Sequence, residues 1–160
     1  MSDEVPVPET LDTALSPEWL SMALAARYPG IEVTRVERGP MISRVSTNVR
    51  FRIECVGGIP HGLSPELCLK GYFTEMGRPA RFAGIPETSF YRDLAGGLPV
   101  RTLKSVYADI DLETQDSVVI TEDVVAQGGV FLDALSDYTP DQAAQSLEEF
   151  AKLHAASWMR

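Results

Sequence analysis

The sequence predicts an α+β fold: a five-stranded antiparallel sheet, one helix between its third and fourth strands, and helices after the fifth. Two observations carry this. Five short runs have strand character, either alternating apolar and polar residues or continuously apolar, and turn residues separate them. One helix signal, opening at Pro86-Glu87, interrupts the strand series, so the pattern is not a regular succession of βαβ units.

In chain order, residues 1–15 read as an extended, partly disordered lead. Ser16-Pro17-Glu18 opens a helix, with an N-cap serine, a proline suited to the first helical position and an acid near the positive helix end. Trp19, Leu20, Ala23 and Leu24 form its apolar stripe, and Pro29-Gly30 stops it. Ile31–Arg38 is the first strand. Asn48–Cys55 is the cleanest, with Val49, Phe51, Ile53 and Cys55 opposite Asn48, Arg50, Arg52 and Glu54. Val56–Ser64, with three glycines and a proline, is a loop. Glu66–Phe73 places Leu67, Leu69, Gly71 and Phe73 on one face and Cys68, Lys70 and Tyr72 on the other. Met76–Ile85 reads as a loop, Pro86 to Ala95 as a short helix closed by Gly96-Gly97. Leu103–Ala108 and Ser117–Thr121 are further strands around an acidic hairpin, Asp109–Asp116. Val118-Val119-Ile120 suits a strand buried on both faces. Gln127-Gly128-Gly129 belongs to a connector, Phe131–Leu135 to a short helix. Thr139-Pro140-Asp141-Gln142 is a capping box, opening a helix with Leu147, Phe150, Ala151, His154 and Trp158 on its apolar face.

Composition narrows the function. Of 160 residues 44% are hydrophobic and 23% charged, enough for one cored domain, or one and a fraction. Fourteen Lys and Arg against 23 Asp and Glu leave a net charge of −9. That argues against nucleic acid or an anionic membrane as partner, because phosphate contacts need clustered cations. A local basic pocket for one small phosphate ligand stays open. No apolar run approaches the ~20 residues of a membrane span, and Met1–Thr10 lacks the basic and apolar regions of a secretory signal. Cys55 and Cys68, the two cysteines, read as buried thiols of a cytoplasmic protein, with a disulfide as the alternative. Two histidines without a cysteine cluster do not suggest structural zinc.

The chemistry centres on Lys70. A lysine within an apolar strand needs a partner or a wet edge. Glu87, in the first turn of the next helix, is the candidate partner; an outward-facing lysine is the plain alternative. A strand lysine held by a helix glutamate is the layout that grips ATP phosphates in kinase folds. Gly39–Asn48, with Ser43, Ser46, Thr47 and Asn48, lies between the first two strands and could offer backbone N–H groups to phosphate.

At these residues the chain resembles the N-terminal part of the aminoglycoside/choline-kinase-like phosphotransferases, especially the ecdysteroid-kinase-like branch. The matching stretches, in order, are Leu67–Phe73, Glu87–Leu94, Val119–Val124 and Leu153–Trp158. The resemblance runs from about residue 16 onward and implies a kinase-like small lobe over 16–121, a hinge over 122–130 and the first helices of a large lobe over 131–160. It implies ATP and Mg²⁺ as cofactors and transfer of the γ-phosphoryl group to a hydroxyl of a small molecule. Lys70 would contact the phosphates, Glu87 would hold Lys70, and Ser43, Ser46, Thr47 and Asn48 would belong to the phosphate-covering loop. Thr121 to Val124 would meet the adenine edge through their backbone, with Glu122 and Asp123 acting mainly through main-chain groups.

The sequence departs from the family in two ways. Gly39–Asn48 lacks the glycine-rich kinase pattern, and the family's His-Gly-Asp…Asn segment, with its later Asp, is not found among the 160 residues. The chain on its own is therefore expected to be inactive, with no catalytic residue and no metal ligand assigned within it. The alternatives are a non-catalytic nucleotide-binding or dimerising remnant, pairing as a homodimer through the surface a large lobe would cover, and an unrelated α+β domain in which Lys70 and Glu87 never meet. His61-Gly62-Leu63 has leucine where that segment needs Asp and reads as a loop. His154 reads as a core histidine, Asp109, Asp111, Glu113 and Asp116 as a solvated hairpin, and Arg78 and Arg81 as surface cations.

Overall fold

A computed structural model describes residues 5–158. Five strands, β1 (Val33–Ser43), β2 (Thr47–Cys55), β3 (Glu66–Gly71), β4 (Ser105–Ile110) and β5 (Ser117–Glu122), form one antiparallel sheet in the order β1-β2-β3-β5-β4. Helix α1 (Leu11–Ala14) and helix α2 (Pro17–Ala25) precede it; α3 (Gly84–Ser89) lies between β3 and β4, and α4 (Pro140–Ser157) follows.

Strand alternation sorts the side chains as the sequence predicts. Val49, Phe51 and Ile53 of β2, Leu67 and Leu69 of β3 and Ile120 of β5 are buried with Trp19, Leu20 and Leu24 of α2 in one core. Burying a side chain of that size stabilises by about 1.5–3 kcal/mol. Ser16 caps α2 by accepting the Trp19 N–H, and Pro17 occupies its first turn. All of Ser117–Thr121 is buried, because β5 is central and covered on both faces.

Several segments differ from the sequence reading, each for a physical reason. Residues 5–15 are not an extended lead: Thr10 caps α1, Ala14 and Leu15 are buried, and the Trp19 indole donates to the Pro6 carbonyl at 2.8 Å. Strand β1 runs on to Ser43 instead of ending at Arg38. It is an edge strand, which tolerates Pro40, and its register shifts between Arg38 and Met41. The phosphate-covering loop expected over Gly39–Asn48 thereby shrinks to a turn at 44–46. The segment read as a loop at Met76–Ile85 is largely helical: a 3-10 turn, Arg78–Ala83, leads into α3, followed by a wide turn at Phe90–Leu94.

At the other end, Phe131–Leu135 is non-helical and exposed. Helix α4 keeps its capping box, Thr139 and Gln142 bonding reciprocally, yet none of its residues is buried. His154 is exposed, not a core histidine, and Leu147, Phe150 and Trp158 are exposed with it, because no described element covers that helix face. No helix among the described residues is long and apolar enough to cross a membrane.

Candidate functional site

The sheet face opposite the α2 core carries a cavity of about 480 Å³, within the ~300–1,000 Å³ of small-molecule sites. Register builds its roof. Asn48 of β2 pairs with Lys70 of β3, which pairs with Val119 of β5; Arg50, Cys68 and Thr121 make the neighbouring row. Strand pleating sends both rows to the same face. Lys70 Nζ donates to Glu87 Oε2 at 2.6 Å, with 31% and 35% of the two side chains exposed, so the arrangement in which they never meet does not hold.

Glycine lets α3 bring Glu87 there. A Cβ on Gly84 would lie 2.3 Å from Ser117 Oγ and 2.7 Å from the Tyr72 ring. Thr88, one residue past Glu87, is buried. Tyr91 lines the wall beyond, and burial, helped by the Glu87 carboxylate, pushes its phenol pKa up.

At the opposite end the chain leaves β5 as a turn. Glu122, Asp123 and Val124 line the cavity there, and Phe131 is part of its lining. The Gly129 N–H donates to the Val124 carbonyl at 2.7 Å, while the Val124 N–H has no acceptor among the described residues. The Glu122 carboxylate turns to Lys104 Nζ at 2.6 Å and Gln127 Nε2 at 3.1 Å. Burial pushes its pKa up, but those hydrogen bonds outweigh it and hold the group below the usual carboxylate range.

Asp123 has a larger part than its main chain. Its side chain is only 10% exposed; Oδ1 accepts the Val125 N–H at 2.9 Å and lies 3.7 Å from Arg50 Nε. Cys68, the register partner of Arg50, has a thiol pKa pushed up by burial and then by Asp123, against smaller opposing pulls from Arg50 and Lys70. Neither Cys68 nor Cys55 forms a disulfide; both are half-buried free thiols.

Of the sequence-predicted site residues, the structure brings together Lys70, Glu87, Asn48, Glu122 and Val124 around this cavity. Ser43, Ser46 and Thr47 are not part of its lining. Thr47 is buried, with its hydroxyl 3.1 Å from Ser43 Oγ, on the core side of β2. Arg50, Cys68 and Tyr91 also line the site, and sequence reasoning missed their part in it; Asp123, expected there through its main chain, contributes its side chain as well. Arg50 alternates in phase with Asn48, which was a usable signal; its approach to Asp123, 73 residues on, was not. Asp116 and Arg81, read as solvated, form a 3.2 Å ion pair with the Asp116 side chain only 9% exposed. His61 lies in an exposed loop, as expected.

No family model, curated protein or solved structure matches the chain.

Proposed function

We propose that this chain is the ATP-binding portion of a small-molecule phosphotransferase, its sheet a kinase-like small lobe, 122–130 its hinge and 131–158 the start of a helical lobe. The observation that carries the reading is the Lys70–Glu87 ion pair inside a cavity of suitable size. The glutamate holds the ammonium at a set point on the roof, where it can meet phosphate oxygens. At the far end the Val124 N–H, without an acceptor among the described residues, offers a donor to the edge of an adenine.

The chain's own residues account for binding and orientation. Phosphoryl transfer also needs an acceptor-positioning Asp and ligands for Mg²⁺, which would neutralise charge on the transferring phosphate. Among the described residues no group of three or more His, Cys, Asp or Glu could hold a metal ion, so no step is assigned through Mg²⁺. The acceptor hydroxyl belongs to a small molecule left unspecified by these residues, and the reading places the protein in the cytoplasm.

A Cys55→Ser chain leaves Cys68, on the cavity roof, as the single thiol. ATP should protect Cys68 from alkylation, and Lys70→Met should weaken both protection and calorimetric ATP binding about tenfold or more, as for loss of a charged hydrogen bond. Equal ATP affinity in wild type and Lys70→Met would overturn the reading. A second reading, a nucleotide-binding module that dimerises, draws on the exposed Leu147, Phe150 and Trp158. Light scattering tests it: a dimer dispersed by Phe150→Glu supports a second copy as the cover, and a clean monomer removes it.

A further inference from the structure

Two rows of side chains cross the cavity roof, and they differ in character. The Asn48–Lys70–Val119 row holds the ion pair with Glu87. The Arg50–Cys68–Thr121 row lies two residues along each strand, ~7 Å away, on the side of the Glu122–Val124 turn. With phosphates at Lys70, that distance places a nucleoside's base under the second row. Cys68 and Thr121 are too short to cover a ring. Arg50 is long, ends in a plane and is 32% exposed.

What holds Arg50 is unusual. Its Nε lies 3.7 Å from Asp123 Oδ1, an ion pair just beyond hydrogen-bond reach. Asp123 is itself buried and tied to the Val125 N–H. Among the described residues the Arg50 guanidinium makes no hydrogen bond. The carboxylate therefore fixes where the charged end sits while leaving its flat face uncommitted.

We propose that Arg50 is the base-stacking residue of this cleft: its guanidinium, braced by Asp123, covers the face of a purine whose edge meets the 122–124 turn. The proposal rests on the nucleotide reading above. A guanidinium is planar and weakly hydrated, so it stacks on a π face where an ammonium would keep its water. Every base offers such a face, so Arg50 governs affinity for the nucleoside, not the choice among bases.

Titration of the full chain with ATP, adenosine and inorganic tripolyphosphate tests this. Arg50→Ala should weaken ATP and adenosine alike, by roughly three- to thirtyfold, and leave tripolyphosphate within about twofold. Arg50→Lys, which keeps the charge and the aliphatic stem, should recover only part of the loss, and melting curves of both variants should match wild type within a few degrees. Full recovery by Arg50→Lys overturns the proposal, since charge would then suffice. So does a loss confined to ATP and tripolyphosphate, which would make Arg50 a phosphate contact. ATP binding that Lys70→Met destroys and Arg50→Ala leaves untouched refutes the role of Arg50 alone. A wild-type chain that binds neither ATP nor adenosine overturns both this proposal and the nucleotide reading.

Discussion

Separating Lys70 from Glu87 should cost stability in a way that identifies the pair itself. At about 4 Å and an effective dielectric near 20, opposite unit charges attract by roughly 4 kcal/mol. Most of that is offset by lost hydration. The side chains, 31% and 35% exposed, are mostly but not fully removed from water, and their 2.6 Å contact is a charge-assisted hydrogen bond. Such bonds are worth a net ~1.5–3 kcal/mol, and partial exposure lowers the expectation to about 1–2 kcal/mol. The assay is a double-mutant cycle in urea with Lys70→Met, Glu87→Gln and the double variant, which isolates the coupling from each residue's other contacts. Each single variant should melt lower by roughly 2–8 °C, given ~2–4 °C per kcal/mol at this size. Added salt at 0.5 M should weaken the coupling without abolishing it, because the pair is partly shielded. A coupling below about 0.5 kcal/mol would show that the two groups do not hold each other in solution, and the basis for placing phosphates at Lys70 would go with it.

Two further outcomes follow from packing and titration. Gly84→Ala puts a methyl 2.3 Å from Ser117 Oγ and 2.7 Å from the Tyr72 ring, so the Ser117 and Tyr72 side chains or α3 itself must shift. The expected cost is about 1–3 kcal/mol by urea unfolding, with weaker ATP binding as Glu87 moves; unchanged stability would refute the close approach of α3 to β5. Burial, then the Asp109 carboxylate, pushes the Tyr107 phenol well above its ordinary pKa of about 10. The native state thus keeps a proton the unfolded chain loses, so this contribution is intact below pH ~10 and declines as pH rises beyond it, by up to ~1.4 kcal/mol per pH unit. Tyr107→Phe keeps an aromatic edge for Trp19, whose ring centroid lies 5.5 Å away, and should flatten the alkaline fall; equal slopes in both proteins between pH 9 and 11 would contradict this.

Much of the fold was legible because its signals are local. Alternation in Asn48–Cys55 and Glu66–Phe73 named both faces of β2 and β3, and the caps at Ser16 and Thr139 marked two helix starts. The errors share a cause. Gly39-Pro40 has turn chemistry, yet an edge strand has one unpaired side where a proline costs no ladder bond, so β1 continues through it. Leu11–Ala14 is too short to carry a period, and its burial follows from the sheet and α2 behind it. An apolar stripe such as Leu147–Trp158 says that a helix could be covered, not that anything covers it.

The candidate site divides the same way. Lys70 and Glu87 could be paired from sequence, because a lone strand lysine needs an anion and the next helix begins with one. Arg50 and Asp123 could not, since their meeting depends on β3 lying beside both β2 and β5. The sequence by itself determined which residues take strand or helix geometry and which face each presents, since those preferences act over a few neighbouring residues. Only the tertiary structure decided that Arg50, Cys68 and Thr121 share a row, that a glycine seats α3 against β5, and that Asp123 is a buried anion. Those facts depend on contacts between distant parts of the chain, where shape and register, rather than local preference, determine what meets.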